Sequence, residues 1–237
     1  MKTIFMRASS LALAFLLVLG LAIPTASAAV FTDVQTEEPI TTRTRVFDGS
    51  TEVVFDKVPL FNQGDYPNSP YGREEWSVAS HGCGITSVAM VATYLTNEMH
   101  APDVLAVQFG RYNTVHGSYW SLFGDSAEVL GLGKVTQTSN WSKVTEALKN
   151  GQPVVSIQST GLFTGGGHFI VLTGMTEDGK VLVNDPNGGN WHKNAVMIEG
   201  FANGFTPAQI RAAGGTYWIY QPKDEVLALR AEMNNNN

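Results

Sequence analysis

The sequence predicts an α+β domain, and three observations carry that prediction. Val88, Ala89, Val91, Ala92 and Leu95 recur at three- and four-residue steps, the stripe of a core-facing helix headed by Cys83. His168 to Met175 and Lys180 to Asp185 are apolar, β-branched runs joined by Glu177-Asp178-Gly179, a hairpin turn. Helical patterns dominate the first half of the chain and strand patterns the second, with no internal repeat.

The elements follow in order. Lys2 and Arg7 flank an apolar stretch, Leu11 to Ile23, too short to span a bilayer, and Ala26-Ser27-Ala28 is a small-residue cleavage motif. Residues 1–28 are therefore expected to be an export signal cut after Ala28, with Ala29 the runner-up. Residues 29–45 are polar and Thr-rich and predict a loosely ordered arm. The domain is expected over 46–222. Val46 to Leu60 is a β-rich run that leads to Asn62-Gln63, and Gly64 to Ser80, with Pro67, Pro70 and Gly72, predicts a long loop. The Cys83 helix should end near Asn97. Pro102 to Phe109 predicts a second helix with proline in its first turn, Tyr112 to Trp120 an irregular aromatic segment. Further helices are predicted over Ser126 to Leu132 and over Ser142 to Asn150, where Gly151 is the stop.

Pro153 to Gln158 is the first strand of the second half, and Leu162 to Gly167 a glycine-rich turn into the His168 strand. Pro186 to Gly189 reads as a tight turn, Ala195 to Phe201 as helix or strand, Pro207 to Ala213 as a short helix and Thr216 to Tyr220 as a last strand. Residues 223–237, which end in four asparagines, predict a disordered tail. The resulting picture is one domain, helices first and an antiparallel meander second.

Composition narrows the function. Of 237 residues, 21 are acidic and 15 basic, for a formal charge of −6; loss of Lys2 and Arg7 with the signal takes it to −8. An acidic chain without a basic run argues against nucleic acid or an anionic membrane as partner. The mature protein is expected to be soluble and secreted, since no later apolar run is long enough to span a bilayer. Its oligomeric state is not encoded in any pattern.

Cys83 is the single cysteine, so no intramolecular disulfide can form, and its distance from the cleavage motif excludes a lipid anchor. A thiol at a helix N-terminus faces about half a positive charge and unpaired N–H groups, which favour the thiolate. Gly82 and Gly84 on either side permit a sharp entry and a close neighbour. The same cysteine also fits a small buried hydrophobe.

Of the five histidines, His168 opens an apolar strand directly after three glycines, and an imidazole there can take a thiol proton and return it to a leaving amine. A strand-end histidine held by a structural hydrogen bond is the alternative. His81, two residues before Cys83, is a rival base, although that spacing at a helix entry turns the side chains apart. His100, His116 and His192 read as surface residues. Hairpin counting from the Glu177 turn sets the end of one strand beside the start of the other, and so makes Asp185 a near neighbour of His168. A carboxylate at that point can hold the imidazole in one tautomer; a turn-capping Asp before Pro186 fits as well. Alternation puts Asp185 and Asn184 on opposite faces, so only one of them can point at the ring. Gln63 lies 20 residues before Cys83, and its amide could join the Cys83 N–H as an oxyanion donor.

Other constellations fail. Gly131-Leu-Gly-Lys134 is followed by Val135, so it is no phosphate loop. No two histidines have the spacing of metal ligands on a helix, so neither metal nor cofactor is expected. Trp76, Tyr119, Trp120 and Trp191 could line a groove for peptide or sugar, or pack locally.

Val58-Pro-Leu-Phe-Asn-Gln63, Ser80-His-Gly-Cys-Gly-Ile-Thr-Ser-Val-Ala-Met90, Gly167-His-Phe-Ile-Val-Leu-Thr-Gly174 and Val183-Asn-Asp-Pro186 together resemble the C39-like cysteine peptidases. These are relatives of the double-glycine bacteriocin-processing peptidases within the papain-like superfamily. The resemblance runs from about Val58 to Tyr220. It implies a papain-like fold with the nucleophile helix packed on an antiparallel sheet. It puts the nucleophile on Cys83, the base on His168, its orienting partner on Asp185 and an oxyanion donor on Gln63. The gap after Gln63 is longer than in the processing peptidases. The chain also has no sign of the exporters' membrane and ATPase regions, so their leader substrate is not expected here. The expected function is an exported cysteine peptidase acting on peptides or proteins. A cell-wall peptide amidase or transpeptidase and a non-catalytic peptide-binding module are the alternatives.

Overall fold

The computed structural model describes residues 31–35, 41–47, 50–55, 57–114, 117–188 and 194–228. The predicted export signal over 1–28, His116, Trp191, His192 and the last residues of the predicted tail lie outside them.

A five-stranded antiparallel sheet forms the centre. Its strands are β8 (Lys134–Thr138), β9 (Val154–Gln158), β10 (His168–Met175), β11 (Val181–Asn184) and β12 (Gly214–Gln221). Their spatial order is β11-β10-β9-β12-β8. Only β9-β10-β11 is a meander; β12 returns to insert between β9 and β8, which corrects the simple meander expected. β8 lies where the sequence analysis assigns no element, although Val135 and Thr136 behind two glycines carry a short strand signal.

Both faces of the sheet are covered, which explains why its strands read as continuous apolar runs rather than clean alternation. On one face Val155, Phe169, Val171, Trp218 and Tyr220 pack against α2 (Cys83–Thr96), α3 (Pro102–Phe109) and α4 (Ser121–Leu130). On the other, Val154, Ile170, Leu172, Tyr217 and Ile219 meet α5 (Trp141–Lys149), α6 (Ala195–Asn203) and α7 (Pro207–Ala213). The alternation is complete once both layers are seen: neighbours in each strand belong to opposite cores. Asn194 caps α6 by accepting the Met197 N–H, which resolves the segment that sequence left between helix and strand. α4 starts at Ser121, earlier than the predicted Ser126.

Two segments read as unstructured are ordered. The predicted arm contains β1 (Phe31–Gln35) and β2 (Thr41–Phe47), which form a separate antiparallel sheet with β3 (Ser50–Phe55). The boundary expected at residue 46 runs through β2. Polarity alone predicts a loose arm there, whereas the β-branched threonines 41, 42 and 44 favour a strand. The predicted loop of residues 64–80 holds a hairpin of β4 (Pro70–Tyr71) and β5 (Arg73–Ser77), then a single helical turn, α1 (Val78–His81). A second small hairpin, β6 (Asn113–Thr114) with β7 (Gly117–Ser118), occupies the aromatic segment. Residues 224–228 are helical, inside the tail expected to be disordered.

Candidate active site

The helix α2 is buried along almost its full length, from Cys83 to Leu95. Its entry is tight. A side chain at Gly82 would meet the Val78 carbonyl oxygen, and one at Gly84 would meet the Ser118 hydroxyl. Both glycines are thus required by close approach, and the second lets β7 lie against the first turn of the helix. The Ser118 hydroxyl is 2.9 Å from that of Tyr71, a pair wholly buried beneath Cys83's turn. Sequence could not find that pair, because its members lie 47 positions apart. Cys83 itself is buried, with 9 % of its surface exposed, and free of any disulfide.

His168 is the first residue of β10, and the last β10–β11 pair is Val171 with Asn184. A bulge between Leu172 and Gly174 shifts this register by one residue. Asp185, one residue past the end of the ladder, therefore falls on the row of Ile170, diagonal to His168 and on its face. The offset makes the contact possible: His168 Nε2 donates to Asp185 Oδ1 at 2.6 Å, with both side chains buried. The same oxygen accepts the Asn187 N–H at 2.8 Å, so the turn after Pro186 holds the carboxylate in place. Asp185 thus serves as a turn acceptor and as a partner of the imidazole at once.

With Nε2 occupied, Nδ1 is the ring nitrogen left free of Asp185, and His168 and Cys83 shift each other's ionisation. Burial pushes the Cys83 thiol up. The His168 hydrogen bond and charge, with backbone hydrogen bonds from Phe169 and Gly84, outweigh it and hold the thiol below its ordinary value. Burial pushes the His168 imidazole down, but the hydrogen bonds to Asp185 and then Cys83 hold it above the usual imidazole range. The two shifts favour one state, thiolate beside imidazolium.

Asn184 points elsewhere, as strand alternation requires. Its amide donates to the carbonyls of Val58 and Pro59 at 2.9 and 3.0 Å. It thereby ties β11 to the segment that leads into Gln63. Gln63 is buried; its N–H donates to Pro186 O at 2.7 Å and its Nε2 to Ala79 O at 2.9 Å. It is held between the turn that carries Asp185 and the helical turn that precedes Cys83. Its Oε1 is buried with no hydrogen-bond partner among the described residues.

His81 is not part of this arrangement. Its ring stacks on Trp76 at 4.7 Å, its Nδ1 is 2.8 Å from the Ser80 hydroxyl, and Arg73 lies over the other ring of the stack. His100, read as a surface residue, is half-buried and held by Thr96 and Thr93 at the end of α2. Trp120 packs edge-on against Trp218 and lines a cavity beside Gly167; Tyr119 is exposed. Gln158, which sequence passed over, sits directly across β9 from His168 and is fully buried. A polar residue closing an apolar strand at the same parity as Ser156 was the available signal. Among the described residues no group of three or more His, Cys, Asp or Glu side chains is placed to hold a metal, and no helix is long and apolar enough to cross a membrane.

A cysteine-headed helix laid on an antiparallel sheet, with helices on the far side, is a mixed α+β architecture consistent with the papain-like fold. The chain belongs to the Peptidase_C39 like family, whose model matches residues 55–210, about two thirds of its length. Membership points to a cysteine peptidase-like function. No curated protein matches the chain.

Proposed function

We propose that this protein is an exported cysteine peptidase that hydrolyses peptide bonds through Cys83, His168 and Asp185. One observation carries the reading: His168 joins the buried Asp185 carboxylate through Nε2 at 2.6 Å and is electrostatically coupled to the Cys83 thiol.

The chemistry follows from that geometry. The Cys83 thiolate attacks the carbonyl carbon of the substrate, and the carbonyl π electrons move onto oxygen. The resulting oxyanion sits beside the Cys83 N–H at the start of α2 and takes the second N–H of Gln63 Nε2, the first being held by Ala79 O. As the tetrahedral species collapses, the C–N bond breaks and His168 gives its proton to the departing amine. The acyl group remains on sulfur as a thioester. Neutral His168 then takes a proton from water, the hydroxide adds to the thioester carbon, and the C–S bond breaks to release the acid and restore the ion pair. Asp185 keeps the imidazole in one orientation throughout and stabilises its charged form. Export rests on the signal-like residues 1–28.

The test is proteomic. Mature protein and its Cys83→Ala variant are incubated with a peptide library, and new termini are mapped by mass spectrometry. New termini with the first and none with the second are expected. Equal termini from both, or none from either, overturn the proposal.

A further inference from the structure

Two small hairpins meet at the entry of α2. Asn113 and Ser118 face each other across β6 and β7, and both hold Tyr71 of β4. The Asn113 amide donates to the Tyr71 carbonyl oxygen, and the Ser118 hydroxyl is 2.9 Å from the Tyr71 hydroxyl. Both side chains of the hydroxyl pair are buried. Tyr71 is thus pinned at its backbone and at the tip of its ring, which fixes where the phenol points.

Ser118 reaches the residue that follows Cys83. Its hydroxyl fills the space that a side chain at Gly84 would need, and the Phe169 ring stands 3.4 Å from the same point. The pair is therefore set against the first turn of α2 and the start of β10, the elements that carry Cys83 and His168.

Proton counting singles this pair out. Two hydroxyls bring two protons, and the hydrogen bond between them uses one. Neither hydroxyl has a further partner among the described residues, so one buried O–H is left without an acceptor whichever way that bond runs. A hydroxyl rotor with no acceptor turns its positive end toward the nearest negative charge, and in a low-dielectric interior that dipole is strongly felt. The phenol lies within reach of the charge on Cys83. Burial lifts the Tyr71 pKa, the Ser118 contact opposes that, and the Cys83 charge lifts it again. The other titratable groups at this end of α2 are His168 on β10, backed by Asp185, and His81 on α1, which is stacked on Trp76.

We infer that Tyr71, acting through Ser118, is a positioning residue for Cys83. With the Tyr71 hydroxyl donating to Ser118, the free Ser118 O–H turns toward the sulfur when the thiolate forms and favours that state. The inference rests on the peptidase reading, of which it names a further support for the ionised nucleophile.

The test reads ionisation rather than catalysis. Cys83 is the single cysteine, so the ultraviolet absorbance of its thiolate can be titrated, each protein being blanked by its own Cys83→Ala counterpart. Tyr71→Phe should move the midpoint up by about half a pH unit, a roughly threefold loss of thiolate below the midpoint and the scale of one buried donor. Ser118→Ala should move it at least as far, and the two changes together no further than Ser118→Ala alone. Tyr220→Phe removes another buried hydroxyl, one that donates to the Phe123 carbonyl, and should leave the midpoint in place. A lower melting temperature with an unmoved midpoint in both Tyr71→Phe and Ser118→Ala makes the pair purely structural and overturns the inference. An equal shift in Tyr220→Phe overturns it too. If Ser118→Ala does not fold, Tyr71→Phe, which keeps the ring, decides alone. If the midpoints shift as expected and wild-type protein cuts no peptide, the positioning role stands and the peptidase reading falls.

Discussion

His168 and Asp185 stand 17 positions apart and meet at 2.6 Å beyond the last rung of the ladder that joins their strands. Each is buried, and their contact is completed from the turn side by the Asn187 N–H. A histidine paired to β9 but beyond the last rung on the β11 side, and gripped by a carboxylate, has one orientation and one nitrogen to spare. Four predictions follow from this contact and its supports.

The first concerns ionisation. The Cys83 thiol is lowered, so its acid limb of activity should lie below the ordinary thiol value of about 8.5. The His168 imidazole is raised, so the alkaline limb should lie above the ordinary imidazole value of about 6.5. A plateau between the two limbs is the expected profile of kcat/KM. NMR titration of His168 should show its pKa fall in Cys83→Ala and fall further in Asp185→Asn, where burial prevails over a weaker partner. An unchanged His168 titration in both variants contradicts the coupling.

Asp185 and Asn184 should separate chemistry from stability. Asp185→Ala should lower kcat by about 10²- to 10⁴-fold with a small change in KM, because the imidazole loses its orientation. Asn184→Ala leaves the Val58 and Pro59 carbonyls without their donor. That should cost about 2 kcal/mol, or roughly 4–8 °C in melting temperature for a chain of this size. Kinetic loss confined to Asn184→Ala would reverse the assignment.

Gln63→Ala should reduce kcat by roughly 10²-fold and leave KM nearly unchanged, the mark of a donor used mainly in the transition state. Gln63→Glu should do no better, since a carboxylate cannot donate. A KM effect alone would make Gln63 a binding residue.

Gly84→Ala should destabilise the protein by about 1–3 kcal/mol, because the added methyl meets the Ser118 side chain on a backbone with no room to retreat. Ser118→Gly in the same chain should restore part of the melting temperature by removing the obstacle. If Gly84→Ala alone melts like the wild type, β7 does not pack against α2 as described.

Local pattern accounts for much of this molecule. The Cys83 helix, the Pro102 and Pro207 helices and the His168 strand are legible in sequence because their signals are local: apolar period, proline at the first turn, a hairpin turn flanked by β-branched runs. The parity of Asp185 against Asn184 is legible for the same reason, since alternation is a property of any extended chain. Tertiary structure alone decided the rest. Sequence could not show β12 inserted between β9 and β8, since strand order depends on which faces need cover. Nor could it show the bulge that brings Asp185 onto the row of Ile170 and so onto the face of His168, or the anchoring of Gln63 to Pro186 and Ala79. Contacts between distant residues are set by how two cores share one sheet, and no window along the chain contains that information.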